Sequence, residues 1–386
     1  MDTILYLNAS LTSEPYRLKL SGVRRYARTR GWNVHVIYFN TDMPSIGKLL
    51  ADVRPVGVIV ESCEDMPPVD RHLFKRLPVV YLDANSSRFS RRTPMIVHRP
   101  DEVIDIALNE FAALKRPHVA YVGWFDERFW SKAREQAFVR AASARGIPCT
   151  VFRSTLGVQK QIDYERDLMA WLAKQPEKLG VLAANDSIGS CVLSACKRLG
   201  LDVPNDVAVL GVDNDEVRCE SESPRLSSIQ MDVERAGYRA GELLDRLISR
   251  KQVECSCLTY GALSLIRRES TRAYPRTDAR ILKAVQFIRE KACEGVRASD
   301  IASLIGGSRR HAEMRFREAT GKSILEEIQE VRLEKVFFLL QRTGKPLEVI
   351  AASCGYRTAD ALRRVFLKRT GMSMRQWRKG MSSKQI

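Results

Sequence analysis

The sequence lacks the signatures that usually announce a catalyst. Its five histidines are dispersed, with no HExxH or other metal-ligand spacing. No GxSxG, GxxxxGK(S/T) or GxGxxG follows an apolar run. There is thus no nucleophile elbow, phosphate-binding loop or dinucleotide-binding turn to argue from, and no enzyme activity, cofactor or metal is expected. Apolar runs of ~18 residues are also missing, which argues against a membrane-spanning helix and a membrane partner. Nine cysteines, at 63, 149, 191, 196, 219, 255, 257, 293 and 354, form no CxxC pair. Their odd number and scatter fit reduced thiols, not a disulfide framework or a zinc site. The start, MDTILYLNAS, places an acid where a secretory signal needs basic residues, so a cytoplasmic location is expected.

What is present is length and positive charge. The chain has 386 residues, 45% hydrophobic and 28% charged, which is the composition of a globular protein of two or three domains. Its net charge is +17, and the excess is uneven. From Asp278 onward there are 23 Lys/Arg against 12 Asp/Glu, or +11, leaving 40 against 34, or +6, for everything before it. Such an excess on a helical segment points toward nucleic acid, although a solvated face would also carry it.

Residues 1–270 alternate between strand and helix patterns. TILYLN, VHVIYF, VGVIVES, PVVYLDA, HVAYVGWF, LGVLAAND and VAVLGVDND are apolar runs of strand length. Helix-like stretches such as Tyr16 to Arg30 separate most of them, and GALSLIRRES (261–270) reads as a last strand. Near-continuous apolar strands are those of parallel sheets covered on both faces. The expectation is a two-lobed α/β core of doubly wound parallel sheets over residues 1–270, with ligands in the crevice beyond the strand carboxyl ends. The polar stretch 271–278 reads as a linker. Residues 279–386 then show only helical periodicity, including a long helix from about Ile324 to Leu340.

That all-α part contains a repeat. Ile301, Ala302 and Gly306 correspond to Ile350, Ala351 and Gly355 at an offset of 49, and Phe316, Thr320 and Gly321 to Phe366, Thr370 and Gly371 at an offset of 50. Each copy is a short helix, a glycine turn and an Arg-rich helix, which is the helix-turn-helix plan. The two units span about 298–321 and 347–371. In this plan the second helix enters the major groove with its first residues on base edges.

The repeat resembles the AraC/XylS family of transcription regulators, above all in IAASCGY (350–356), Phe366 and KRTGMSMRQWR (368–378). It departs from the family pattern at Met374, Leu362 and Ala312. The first part resembles the sugar-binding core of LacI/GalR regulators and periplasmic binding proteins, through AANDSIG, VLGVDND, PRLSSIQMD with AGYRAGELL, and LIRREST. A sugar-binding core followed by an AraC-type domain is the order found in xylose operon regulators, and YVGWFDERFWSKAREQAF is similar to theirs. The resemblance implies a monosaccharide effector, double-stranded promoter or operator DNA and RNA polymerase as partners, and a homodimer. It implies a sugar-responsive activator. The alternatives are a repressor sensing another monosaccharide or polyol, or a solute-binding protein without a transcriptional role.

A monosaccharide site needs carboxylates and amides for hydroxyls and an aromatic face for the ring. Asp83, Asn185 and Asp213 each end an apolar run. Helix capping competes for any one of them, but the three together with the resemblance favour binding. Asp186 and Ser187 read as better caps. Arg134 follows Trp130 by one helical turn and offers a rigid fork of donors, while a surface ion pair or core packing are the plainer roles for the two. Tyr16 opens the first helix and borders either cleft or core. On the DNA side, Ser308, Arg309, Arg310 and His311 open one recognition helix, with Arg357 and Thr358 at the start of the other. Ser308 and Thr358 read as N-caps, Arg309, Arg310 and Arg357 as candidate guanine readers, and Arg363 and Lys368 as candidate phosphate contacts.

Overall fold

The apolar runs of the first part all become strands, and they sort into two separate sheets. The computed structural model describes residues 2–8, 13–38, 43–61, 74, 76–90, 92–125, 128–153, 161–251, 257–272, 279–343 and 345–383. Two units are distinguished, Met1–Arg272 and Ala273–Ile386.

The first unit begins with β1 (Thr3–Asn8), α1 (Glu14–Arg30), β2 (Asn33–Tyr38), α2 (Met43–Val53), β3 (Gly57–Glu61), β4 (Val79–Leu82) and β5 (Met95–His98). Helix α3 (Asp101–Ala113) carries the chain to the second sheet. There follow β6 (His118–Val122), α4 (Phe129–Ala144), β7 (Cys149–Phe152), α5 (Gln161–Leu172), β8 (Leu179–Ala183), α6 (Asp186–Leu199), β9 (Val207–Val212), α7 (Glu216–Ser221) and β10 (Ser227–Met231). Then α8 (Val233–Ile248) and β11 (Cys257–Tyr260) return to the first sheet, and β12 (Ala262–Ile266) to the second. The strand orders are β11-β5-β4-β3-β1-β2 and β12-β10-β9-β8-β6-β7. Pairing is parallel except for β12, which runs antiparallel to β10 at the sheet edge. Every residue of β3, β8 and β9 is buried, as strands covered on both faces should be.

Sequence patterning did not single out β5, β7, β10 or β11. β7 and β11 are only partly buried four-residue edge strands, too short for a period to show. β10 is fully buried yet half polar, because its serines spend their hydroxyls inside the fold. Ser228 donates to Asp186 at 2.5 Å, and Ser227 accepts from the Arg268 backbone N–H at 2.7 Å. Thr271, the first residue of the expected linker, is buried in this unit and donates to Ser227 at 2.8 Å. The linker residues 273–278 lie outside the described residues, as do Cys63 and Cys255.

Two glycines set the approach of α1 to α8. A Cβ on Gly22 would run into the backbone oxygen of Glu234, and one on Gly237 into the backbone oxygen of Lys19. Helix α1 also has Pro15 in its first turn and ends on Gly31 in the left-handed region, φ 67°.

The second unit contains α9 (Ala279–Lys291), α10 (Ala298–Ile305), α11 (Arg309–Thr320), α12 (Ile324–Arg342), α13 (Leu347–Ser353), α14 (Ala359–Thr370) and α15 (Met374–Ser383). The repeat recurs in atomic detail. Thr320 donates to the Phe316 carbonyl at 2.7 Å and Thr370 to that of Phe366 at 2.8 Å, ahead of Gly321 and Gly371 at φ 73° and 70°. Ser323 and Ser373 then start the following helices by accepting from backbone N–H groups at 3.2 and 3.1 Å. The departures Ala312, Leu362 and Met374 are all buried in the cores of their halves. Among the described residues no helix is long and apolar enough to cross a membrane.

Replacing Gly237 by alanine tests the α1–α8 contact. In an exposed helix this change would stabilise by up to ~1 kcal/mol. Here the added methyl meets backbone, and overpacking of about 1–3 kcal/mol should win. The expected outcome is a lowered thermal midpoint for Gly237→Ala, measured by calorimetry. An unchanged or raised midpoint would show that the helices can separate freely.

Candidate functional site

The carboxyl ends of strands from both sheets of the first unit converge on one cavity of about 130 Å³. All six residues expected from the sequence, Tyr16, Asp83, Trp130, Arg134, Asn185 and Asp213, line it. Lys19, Glu61, His98, Asp186 and Tyr260 line it too, and sequence reasoning missed them. Glu61, His98 and Tyr260 end β3, β5 and β11. The strand-end rule that found Asp83 would have found Glu61 in VGVIVES. Lys19 stands one turn after Tyr16, with its ammonium 5.1 Å from that ring.

The first-sheet wall is organised by Lys19, which is only 5% exposed. Its Nζ lies 2.8 Å from Glu61 Oε1 and 2.5 Å from Asp83 Oδ2. Tyr6 donates to the other Glu61 oxygen at 2.5 Å, and Tyr260 donates to Asp83 at 2.8 Å. The backbone N–H of His98 donates to Asp83 Oδ1 at 3.2 Å. Burial opposes the charge on Lys19, but the two carboxylates outweigh it and raise its pKa. Burial would raise Asp83, yet the Lys19 ammonium wins and holds its pKa below the usual range. For Glu61 burial prevails and its pKa is raised. Burial, with the Arg134 cation beside it, lowers His98 to about 3, so the imidazole is neutral at physiological pH.

The second-sheet wall combines one cation with two acids. Arg134 is buried, donates to the Ala184 carbonyl and lies with its guanidinium 5.5 Å from the Trp130 ring. The one-turn spacing therefore does bring the two side chains together. Burial pushes Asp213 up to about 6 against the attraction of Arg134 and Lys19. Burial and the neighbouring Asp213 push Asp186 up to about 8. Asp83 and Asp213 both hold positive φ, 50° and 106°, a conformation that costs ~1–3 kcal/mol for such residues and that collects at functional sites. Glu14, at the start of α1, accepts from the Glu216 backbone N–H at 3.0 Å and ties the two lobes together at the start of α7.

Asn185, and not Asp186 or Ser187 as the sequence suggested, caps α6, by accepting from the Ile188 N–H at 3.1 Å. Its amide nitrogen remains the part suited to a ligand. Asp186 is turned inward because Ser228 and the Asp215 N–H, at 2.5 and 2.7 Å, occupy its two oxygens.

In the second unit, Ser308 caps α11 by accepting from the His311 N–H at 3.2 Å, and Thr358 caps α14 by accepting from the Ala361 N–H at 3.1 Å. Arg309, Arg310 and His311 in the first turn of α11, and Arg357 just before α14, are exposed. Phe316 and Phe366 face the two cores. Lys368 is exposed on α14, while Arg363 is engaged by Asp360 at 2.5 Å and Glu348 at 3.7 Å. Among the described residues no group of three or more His, Cys, Asp or Glu could hold a metal ion.

The Lys19 cluster yields a test. Removing one member of a buried ion pair strands the remaining charge and costs ~3–5 kcal/mol. Lys19→Met should leave Glu61 and Asp83 with folded-state pKa values above their unfolded ones. Their penalty is then present at pH 8 and relieved as falling pH protonates them. The deficit in thermal midpoint against the parent should thus be largest at pH 8 and shrink toward pH 5. A deficit independent of pH would assign the loss to packing instead.

The family description "Periplasmic binding protein-like domain" matches residues 108–271, and "Helix-turn-helix domain" matches residues 301–380. The chain is 28% identical over 250 residues to the xylose operon regulatory protein of Escherichia coli K12, and that alignment spans 64% of this chain and 64% of the relative's length. It is 27% identical over 372 residues to that of Haemophilus influenzae, covering 94% of each. The solved structure of a xylose-binding transcription activator superposes with a TM-score of 0.61 at 22% identity, over 98% of both chains. The chain is thus similar to xylose operon regulatory proteins, and carries a periplasmic-binding-protein-like domain followed by a helix-turn-helix domain.

Proposed function

We propose that the protein is a sugar-responsive, DNA-binding transcription regulator that activates catabolic genes for a xylose-like sugar when its cleft is occupied. One observation carries the reading: a buried cleft walled by paired acids, a neutral imidazole and an arginine–tryptophan pair shares a chain with two capped, Arg-bearing recognition helices. Asp83, Asp213 and Asn185 supply acceptors and donors for hydroxyls, Arg134 the fork of donors, and Trp130 and Tyr16 the apolar faces. The role is binding without catalysis, in the cytoplasm, as a homodimer working with promoter DNA and RNA polymerase. Sugar and DNA affinities are coupled reciprocally, provided the sugar binds two states of the chain unequally.

The direct experiment is a thermal-shift screen of pentoses, hexoses and polyols, with D-xylose included. A ligand at 100 times its Kd adds about 2.7 kcal/mol. Absence of any shift would end the sugar reading. Asp213→Ala and Arg134→Ala should each abolish the shift while leaving the apo protein folded. Because Asp213 titrates near 6, a hydroxyl that donates to it prefers the ionised form. Affinity measured by calorimetry should therefore weaken as pH falls below about 6, and Asp213→Asn should lose that dependence.

DNA recognition gives a second test. Helix α12 has 19 residues and spans ~28 Å, enough to set two readers in successive major grooves. Footprinting of a regulated promoter should show two short boxes about one turn apart. Arg309→Ala or Arg310→Ala should relax base preference in one box and Arg357→Ala in the other, each costing ~1–3 kcal/mol. Lys368→Ala should weaken binding to all sequences alike. An Arg357→Ala protein with unaltered base preference would leave only one reader.

A further inference from the structure

The two halves of the second unit have separate apolar cores. The first gathers α9, α10 and α11 onto Ile324 and Ile328 of α12; the second gathers α13, α14 and α15 onto Leu333, Val336 and Leu340. Among the described residues no buried side chain is shared between them, so hydrophobic packing alone leaves their mutual orientation to α12. The change of core falls between Ile328 and Leu333, and Arg332 stands there. Its Nε donates to the Ala292 carbonyl at 2.8 Å and its Nη2 to the Val296 carbonyl at 2.8 Å. The Ala292 carbonyl directly follows the end of α9, where a cation is favoured and helix carbonyls lack intrahelical partners.

The second half reaches the same short segment. Gly355, in the turn between α13 and α14, has φ 74°, and a Cβ there would lie 2.8 Å from the Ala292 oxygen and 2.9 Å from the Cys293 oxygen. The next residue, Tyr356, has its ring 5.7 Å from the Arg332 guanidinium. One peptide segment of the first half is thus held from two sides, by the linking helix and by the turn that leads into the second recognition helix. Arginine's planar fork presents a separate nitrogen to each carbonyl, whereas a lysine would have to reach both from a single ammonium.

We infer that Arg332, with Gly355, is a positioning device that fixes the spacing of the two DNA boxes without touching DNA. This rests on the reading that both recognition helices contact DNA. It adds that spacing specificity resides in a polar junction and not in the length of α12 alone.

The test uses the full-length chain and duplexes that the wild-type protein selects from a random pool. Affinities are measured for a selected two-box duplex and for versions with one base pair inserted or deleted between the boxes. The wild-type chain should lose roughly tenfold on either change, the scale of a mismatched base pair. Arg332→Met should bind the selected duplex more weakly and lose less than about threefold on respacing, while substitutions within each box still cost what they cost the wild type. Arg332→Lys, which can keep one carbonyl bond, should be intermediate. Gly355→Ala, which pushes the halves apart, should also blur or shift the preferred spacing. Circular dichroism checks folding, and if Arg332→Met unfolds the unit the lysine variant is the one read. Full spacing preference in the folded variants would overturn the inference while leaving the two-reader function standing. Recovery of single-box duplexes by the wild-type chain would overturn both.

Discussion

The ammonium of Lys19 is the interaction on which the cleft depends. It enters a nearly dry site between two carboxylates, Glu61 and Asp83, and each carboxylate then takes a tyrosine hydroxyl as well. The cluster ties α1 to the ends of β3 and β4, and through Tyr6 and Tyr260 to β1 and β11. The helix that carries Lys19 is in turn packed closely on α8 through the glycines at their crossing. A buried ion pair is weak evidence for stability in itself. Its value here lies in fixing Asp83 and the edges of the cavity in one geometry before any ligand arrives.

The acids of the second sheet divide the work differently. Asp186 commits both oxygens to Ser228 and to the backbone, and so joins α6, β10 and the turn before α7. Asp213, next to it in space, is the one whose charge is balanced by Arg134 and Lys19 from two walls. Burial raises both, and Asp186, with Asp213 beside it, is pushed further up than Asp213, which Arg134 and Lys19 hold down. The arrangement leaves Asp213 as the more easily ionised of the two, the form that accepts from a hydroxyl.

The second unit solves a different problem, reading a surface with exposed charge on small cores. Each half buries one phenylalanine, caps its recognition helix with a hydroxyl and ends it on a left-handed glycine. The arginines remain outside because nothing in so small a core could neutralise them. The excess of positive charge that begins at Asp278 is therefore displayed, not stored. Acidic partners such as Asp360 and Glu348 hold Arg363 on its own half and leave other cations to the solvent side.

Much of this was legible in the sequence, because the signals were local. Continuous apolar runs specified parallel strands, the recurrence at offsets of 49 and 50 specified the repeated helical unit, and Ser308 and Thr358 specified helix starts. Strand-end position together with the resemblance singled out Asp83, Asn185 and Asp213, which line the cavity, and helical spacing paired Trp130 with Arg134. What the sequence could not supply were meanings set by distant neighbours. Lys19 in a helix reads as a solvated cation until β3 and β4 deliver the carboxylates of Glu61 and Asp83 to its ammonium. Ser227 and Ser228 take their roles only when their hydroxyls find partners inside the fold, and His98 stays neutral only because burial and Arg134 make it so. Arg332 likewise reads as one more surface charge on an amphipathic helix until the carbonyls of Ala292 and Val296 take its fork. Periodicity and capping are fixed by neighbours within a few positions of the chain. The charge state and role of a buried polar group are fixed by desolvation and by partners that only the tertiary fold delivers.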